Sequence, residues 1–256
     1  MRKLFALILA LLLFALPALG DETEDMVRVT LSDDGITVDG TGAAAEGSVL
    51  KITLPGVYEL TGSLSNGQVL VCNDMTEKIT LVLNGVSIHN ENAPAVYIQN
   101  SPERVTLSTV GDTENKLSTG ESFRDSADGE PDAVIYSTAD LTLTGKGILE
   151  IVSAGQNGVA SKDDLKIKGG TLKVDARRHG IRGKDSVEIY DGDITITAGK
   201  DGIRSTNTGR TDRGFVEISG GSIHITCGDD PIQAVTRISV LGGTVDVKLV
   251  SEADDD

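Results

Sequence analysis

The chain has 256 residues, a formal net charge of −16, a pI near 4.5, no Trp and only 3% aromatic residues. That negative charge disfavours nucleic acid and anionic membrane as partners, since both present phosphates that would repel it. The scarcity of rings argues against a site made of flat aromatic platforms.

In chain order, residues 1–20 have the pattern of an export signal: Arg2 and Lys3, an apolar run over 4–16, then Ala18-Leu19-Gly20. Cleavage predicts a secreted, extracellular protein whose charge falls from −16 to −18 as two cations are lost (−16 − 2). No Cys follows the run, which argues against a lipid anchor. No later apolar stretch has the length to cross a membrane. Residues 21–62 are expected to form an N-terminal β cap. Its strands, at 35–39 and 49–54, alternate but do not fit the repeat that follows.

Val69-Leu70-Val71 and Val96-Tyr97-Ile98 look like early turns of that repeat, and 117–131 reads as a polar excursion. From Gly158 the period is strict. Gly158, Gly180 and Gly202 are 22 residues apart, and each precedes a β-branched residue: Val159, Ile181, Ile203. Aligned repeats place apolar residues in four columns: Leu165-Val187-Val216-Ile238, Ile167-Ile189-Ile218-Val240, Leu172-Ile194-Ile223-Val245 and Val174-Ile196-Ile225-Val247. Within a repeat the apolar pairs lie two apart, which is strand alternation. A period in the twenties means a solenoid, in which each repeat buries its apolar face on the next.

The predicted fold is all-β: a right-handed parallel β-helix over 63–250, with about six coils of three short strands each. Residues 208–214 exceed the period and should form a loop pushed out of one turn. Residues 251–256 hold four acids in six and should form an acidic tail. Cys72 and Cys227 fall about five coils apart, roughly 24 Å at ~4.8 Å per coil, beyond the ~7 Å reach of a disulfide. Free thiols and a monomer are expected.

Outward columns carry the candidate chemistry. Tyr97, Tyr136, Ala160, Arg182, Arg204 and Gln233 each follow an inward residue by one and should line up as a strip on the surface. Tyr rings stack on sugars and Arg grips carboxylates in bidentate fashion, so this strip, with Lys184 beside it, is a candidate glycan site. The bland reading is that the arginines pair with nearby Asp and the tyrosines cover a rim.

A second column, Asn157, His179, Asp201 and Asp230, occupies a turn, and a third comprises Asp163, Asp185 and Asn207. Stacked carboxylates repel unless a cation lies between them. Asp201, Asp229 and Asp230 are the first candidates to ligate calcium, with Asp163, Asp185, Asn207 and Asp212 as further oxygens. The competing reading is that Asp and Asn serve the turns. His89, His179 and His224 are scattered, which argues against a transition metal. No phosphate loop, nucleophile elbow or zinc spacing occurs.

The run from Asn157 to Thr171, Gly180-Ile-Arg-Gly-Lys-Asp185, Asp201-Gly-Ile-Arg-Ser-Thr-Asn207 and Ile232-Gln-Ala234 resemble the secreted carbohydrate-binding domain family of clostridial-type bacteria. That resemblance covers about 79–247. It implies a pectate-lyase-like β-helix, bound calcium, and binding of acidic glycans such as polygalacturonate, or of cellulose, without cleavage. Two departures stand out: Arg178-His179 replaces acidic residues before Gly180, and Asp230-Pro231 replaces Asp-Gly. The first puts calcium at that turn in doubt. The second locks φ near −65° without deleting the carboxylate. The alternatives are a calcium-dependent, pectate-type polysaccharide lyase, which would need a Lys or Arg base, and a structural cell-surface solenoid without ligand.

Overall fold

A computed structural model describes residues 26–101, 103–123 and 131–250. The expected export signal and acidic tail lie outside the described residues. Among the described residues every regular element is a strand, and no helix is long and apolar enough to cross a membrane.

The chain opens with β1 (Val27–Leu31), β2 (Thr37–Asp39), β3 (Ala43–Glu46), β4 (Val49–Ile52) and β5 (Gly56–Leu64). β1–β2 and β3–β4 are antiparallel pairs. β6 (Gln68–Cys72) and β7 (Ile79–Asn90) follow. β4 already pairs in parallel with β6, and β5 with β7. Parallel stacking therefore starts earlier than the sequence period suggests, and the strand at 49–52 does fit the stack. Its step to β6, Val49 to Gln68, is 19 residues instead of 22. Connections can shorten while strand register holds, so period alone misses this rung.

Next come β8 (Val96–Asn100), β9 (Val105–Thr109), β10 (Glu114–Thr119), β11 (Ala133–Ser137), β12 (Leu141–Gly145), β13 (Ile148–Ser153), β14 (Asn157–Ser161), β15 (Asp164–Ile167) and β16 (Thr171–Ala176). The last nine strands are β17 (Ile181–Gly183), β18 (Ser186–Ile189), β19 (Asp193–Ala198), β20 (Ile203–Ser205), β21 (Phe215–Ile218), β22 (Ser222–Cys227), β23 (Ile232–Gln233), β24 (Arg237–Val240) and β25 (Thr244–Leu249).

They form three parallel tracks: β8-β11-β14-β17-β20-β23, β9-β12-β15-β18-β21-β24 and β10-β13-β16-β19-β22-β25. The second and third merge in β7, whose first half pairs with β9 and second half with β10. This arrangement is consistent with a parallel β-helix. Leu117, read from sequence as the start of a polar excursion, is a fully buried residue of β10.

All four apolar columns pair in the register that the period dictates. Their members up to β22 are at most 4% exposed. Each buried aliphatic side chain contributes about 1.5–3 kcal/mol, so a short β-branched strand is worth little alone and much in a stack. The turn between the second and third tracks is made by glycine. Gly221 has φ +89°, and a Cβ there would lie 2.7 Å from the carbonyl oxygen of Gly192 one rung away. Cys72 is half-buried and Cys227 buried, both as free thiols.

Candidate functional site

The first track holds the candidate strip in register: Tyr97 on Tyr136, Ala160, Arg182, Arg204 and Gln233. Two members are not on the surface. Tyr136 is 1% and Ala160 0% exposed, and both pack with Ala133 and Tyr97. Pointing away from the core is not the same as meeting solvent when side chains on that outer face pack together. Tyr97 meets Tyr136 edge-on, with ring centroids 5.7 Å apart. What faces outward is Tyr97, Arg182, Arg204, Gln233 and the exposed Lys184.

Both arginines are tied down by acids. Arg182 Nη2 donates to Asp132 Oδ1 at 2.7 Å, and Arg204 Nη1 to Asp201 Oδ2 at 3.3 Å. Their partners are nearly inaccessible, at 5% for Asp132 and 1% for Asp201. A guanidinium offers five N–H donors, so each pairing leaves others over; the side chains keep 21% (Arg182) and 33% (Arg204) of their surface exposed, with Arg204 Nε buried.

The turn column is a ladder. Asn157 Nδ2 donates to the Asp132 carbonyl at 2.8 Å. The backbone N–H of His179 donates to Asn157 Oδ1, that of Asp201 to His179 Nδ1, and that of Asp230 to Asp201 Oδ1, at 3.1–3.2 Å. Each side chain thus satisfies a backbone donor one rung on, which a buried turn requires. Arg204 Nη1 also lies 3.2 Å from His179 Nε2. A neutral imidazole has one acceptor nitrogen, so with Nδ1 accepting from the Asp201 N–H the ring proton sits on Nε2, facing the Arg204 guanidinium. Burial, reinforced by Arg204, Arg182, Arg178 and Lys200, pushes the His179 pKa down to about 3. Burial raises the Asp201 pKa, with Asp229 and Asp230 adding to it, against the Asp230 N–H and Arg204.

The expected metal ligands divide into groups. Asp201, buried, and Asp229 and Asp230, exposed, place carboxylate oxygens within 4.8 Å of one another. Three hard oxygens at that spacing suit calcium, though Asp201 already holds Arg204 and the Asp230 N–H, and Asp230 Oδ2 accepts from Gln233 Nε2 at 3.0 Å. The column Asp163, Asp185 and Asn207 does not fit a metal. Arg213 from the 208–214 loop reaches both Asp163 and Asp185, and Asn207 Nδ2 donates to Asp185 Oδ1. The cation between these carboxylates is a guanidinium. Asp212 pairs with Arg210 at 2.8 Å on the exposed loop and does not join the cluster.

Sequence reasoning missed Arg213 and Asp132. The signal for Arg213 was a lone insertion carrying two arginines opposite a column of acids. Asp132 offered none, because it precedes the strict period.

A model of the carbohydrate-binding domain-containing protein family matches residues 46–256. The chain belongs to that family. A relative described as a carbohydrate-binding domain-containing protein, from Acetivibrio thermocellus, is 42% identical over 234 residues, covering 90% of this chain and 82% of its own. Among solved structures, the gadolinium derivative of the polysaccharide lyase-like protein from C. thermocellum superposes with a TM-score of 0.78 at 34% identity. That match covers 90% of this chain and 97% of the neighbour. This family member therefore carries a polysaccharide lyase-like all-β fold.

Proposed function

We propose that this protein is exported and binds acidic polysaccharide of the plant cell-wall type, of which polygalacturonate is the model, on a right-handed parallel β-helix of about six coils. The observation that carries the reading is the register of Arg182 on Arg204. Two half-exposed guanidinia stand one rung apart, at ~4.8 Å, close to the advance of one sugar residue along a chain. Each is preset by a buried carboxylate, so little side-chain freedom is lost on binding. Lys184 and Gln233 flank them. Cellulose is a weaker candidate, since Tyr97 is the one aromatic ring that the strip presents outward.

Calcium is part of the proposal. Asp201, Asp229 and Asp230 would hold it, and it would lend positive charge for uronate carboxylates. That the lyase-like neighbour forms a gadolinium derivative, gadolinium being another hard cation, supports a hard-ion site in this fold.

The test is retention on polygalacturonate and on cellulose, with and without chelator. Retention on polygalacturonate that drops with chelator is expected. Lys184→Gln and Arg182→Gln should each weaken it about tenfold, the loss of one charge-assisted contact of about 1.5 kcal/mol. Asp175→Asn, in the groove of about 460 Å³ on the third track, serves as control and should change nothing. Tight cellulose binding with chelator-insensitive uronan binding would defeat the reading. Unsaturated product appearing in the same mixtures would instead favour a lyase.

A further inference from the structure

Three side chains meet on the outer face of the third track, on a different track from Arg182 and Arg204. His89 belongs to the second half of β7 and Ser118 to β10, and the parallel register sets them side by side. Both point outward, because their strand neighbours Ile88, Leu117 and Thr119 are buried. Ser118 Oγ lies 2.9 Å from His89 Nδ1, and Glu91 Oε2 lies 3.4 Å from His89 Nε2. A carboxylate only accepts, so Nε2 carries the ring proton and Nδ1 is left to accept from the Ser118 hydroxyl. Hydrogen bonds from Ser122 and His89 hold the Glu91 carboxyl below its ordinary value, so it is ionised at neutral pH.

The acid is held in place. Its backbone N–H donates to Asn66 Oδ1 at 3.1 Å. Asn90 Oδ1 accepts from the N–H groups of Asn92 and Ala93, which fixes the turn that carries Glu91. A Cβ on Gly120 would overlap the Glu91 carboxylate, so glycine leaves the space that the acid fills. Ser118, His89 and Glu91 are each partly exposed, and the hydroxyl is within reach of a substrate.

We propose that Ser118, His89 and Glu91 form a serine hydrolase relay that cleaves esters of short acyl groups. A hydroxyl bonded to a base, with the base oriented by an acid, is the arrangement that activates serine. Ser118 Oγ bonds the acyl carbon while its proton passes to His89 Nδ1. The bond to the alcohol oxygen then breaks, and the alcohol leaves with that proton. Water attacks the acyl-serine next, giving a proton to Nδ1, which returns it to Ser118 Oγ as the carboxylic acid departs. Ser118 and His89 are the catalytic residues, and Glu91 is a positioning residue that keeps the tautomer. Lys116, two residues before Ser118 on the same face, bonds Glu150 with one of its N–H donors, and its charge favours the oxyanion. Val152 stands beside Ser118 one rung on, partly buried. One small apolar surface suits an acyl group of acetyl size. The step from His89 to Ser118 is 29 residues, outside the 22-residue period, so the sequence did not bring them together.

Labelling of the full chain with a fluorophosphonate, located by mass spectrometry, tests this together with hydrolysis of p-nitrophenyl acetate. Circular dichroism confirms that each variant folds. One phosphonyl group on Ser118 and measurable hydrolysis are expected. Ser118→Ala should lose both, and His89→Gln should slow both at least about a hundredfold. Glu91→Gln should lower kcat at least about tenfold with KM unchanged, a split that a merely structural role would not give. No label on Ser118, or hydrolysis that is unchanged in Ser118→Ala or in His89→Gln, would overturn the proposal.

Discussion

Arg213 shows how one side chain does what an ion would otherwise do. Asp163 and Asp185 stand one above the other and would repel, yet Asp185 is 3% exposed overall. Arg213 spans both, held in place because Gly214 N donates to the Asp185 carbonyl at 2.6 Å. Removing one partner of a buried pair leaves an uncompensated charge. Arg213→Ala is therefore expected to cost about 3 kcal/mol in urea unfolding. A loss under ~1 kcal/mol would mean that the pair behaves as an ordinary surface bridge. His179 gives a pH prediction. Its folded pKa of about 3 lies below the ordinary 6.5, so between those values the unfolded chain binds more protons than the folded one. Its contribution to stability is complete above pH 6.5 and is lost as pH falls toward 3. Asp201 Oδ2, 3.1 Å from Nδ1, is the nearby anion that limits the effect. Urea midpoints measured across that window should fall with acid in the wild type and fall less in His179→Gln.

Individual strands here are three to six residues through most of the stack, too short to be stable except as rungs. Their stability comes from columns, so substitutions should be felt by position in the column. Ile196 is fully buried between Val174 and Ile225, and Ile196→Ala should cost about 2–5 kcal/mol. The turn glycines are a second demand of the stack. Gly221→Ala meets both a positive φ and the Gly192 carbonyl at 2.7 Å. Neither can yield without moving a neighbouring rung, so a loss of about 2–3 kcal/mol is expected in the same assay. Alanine at Gly209, where φ is ordinary and the nearest atom is 3.5 Å away, should be near neutral.

For the whole molecule, the acidic charge is not spread evenly in its consequences. Part of it is neutralised by Arg182, Arg204, Arg213, Arg237 and Lys166 in pairs along the tracks. At Asp201, Asp229 and Asp230 the negative charge outnumbers its cations. Calcium held there, as proposed, would stabilise the folded state by mass action. A melting temperature that rises by several degrees with calcium is expected, with the rise lost in Asp229→Asn/Asp230→Asn and kept in Asp163→Asn, because Arg213 already occupies the Asp163 column. A calcium response that survives the first pair of substitutions would place the ion elsewhere.

The 22-residue recurrence of Gly158, Gly180 and Gly202 was enough to establish parallel stacking and the identity of the core columns. Period and alternation are properties of covalent order, and a solenoid maps order directly onto space. The same reading put Arg182 over Arg204 and Asp163 over Asp185 for the same reason. It could not show that Tyr136 is covered, that β4 already belongs to the stack, or that Arg213 reaches back across two rungs. Those depend on what lies beside a strand rather than on it, and on loops whose length carries no information about where they fold.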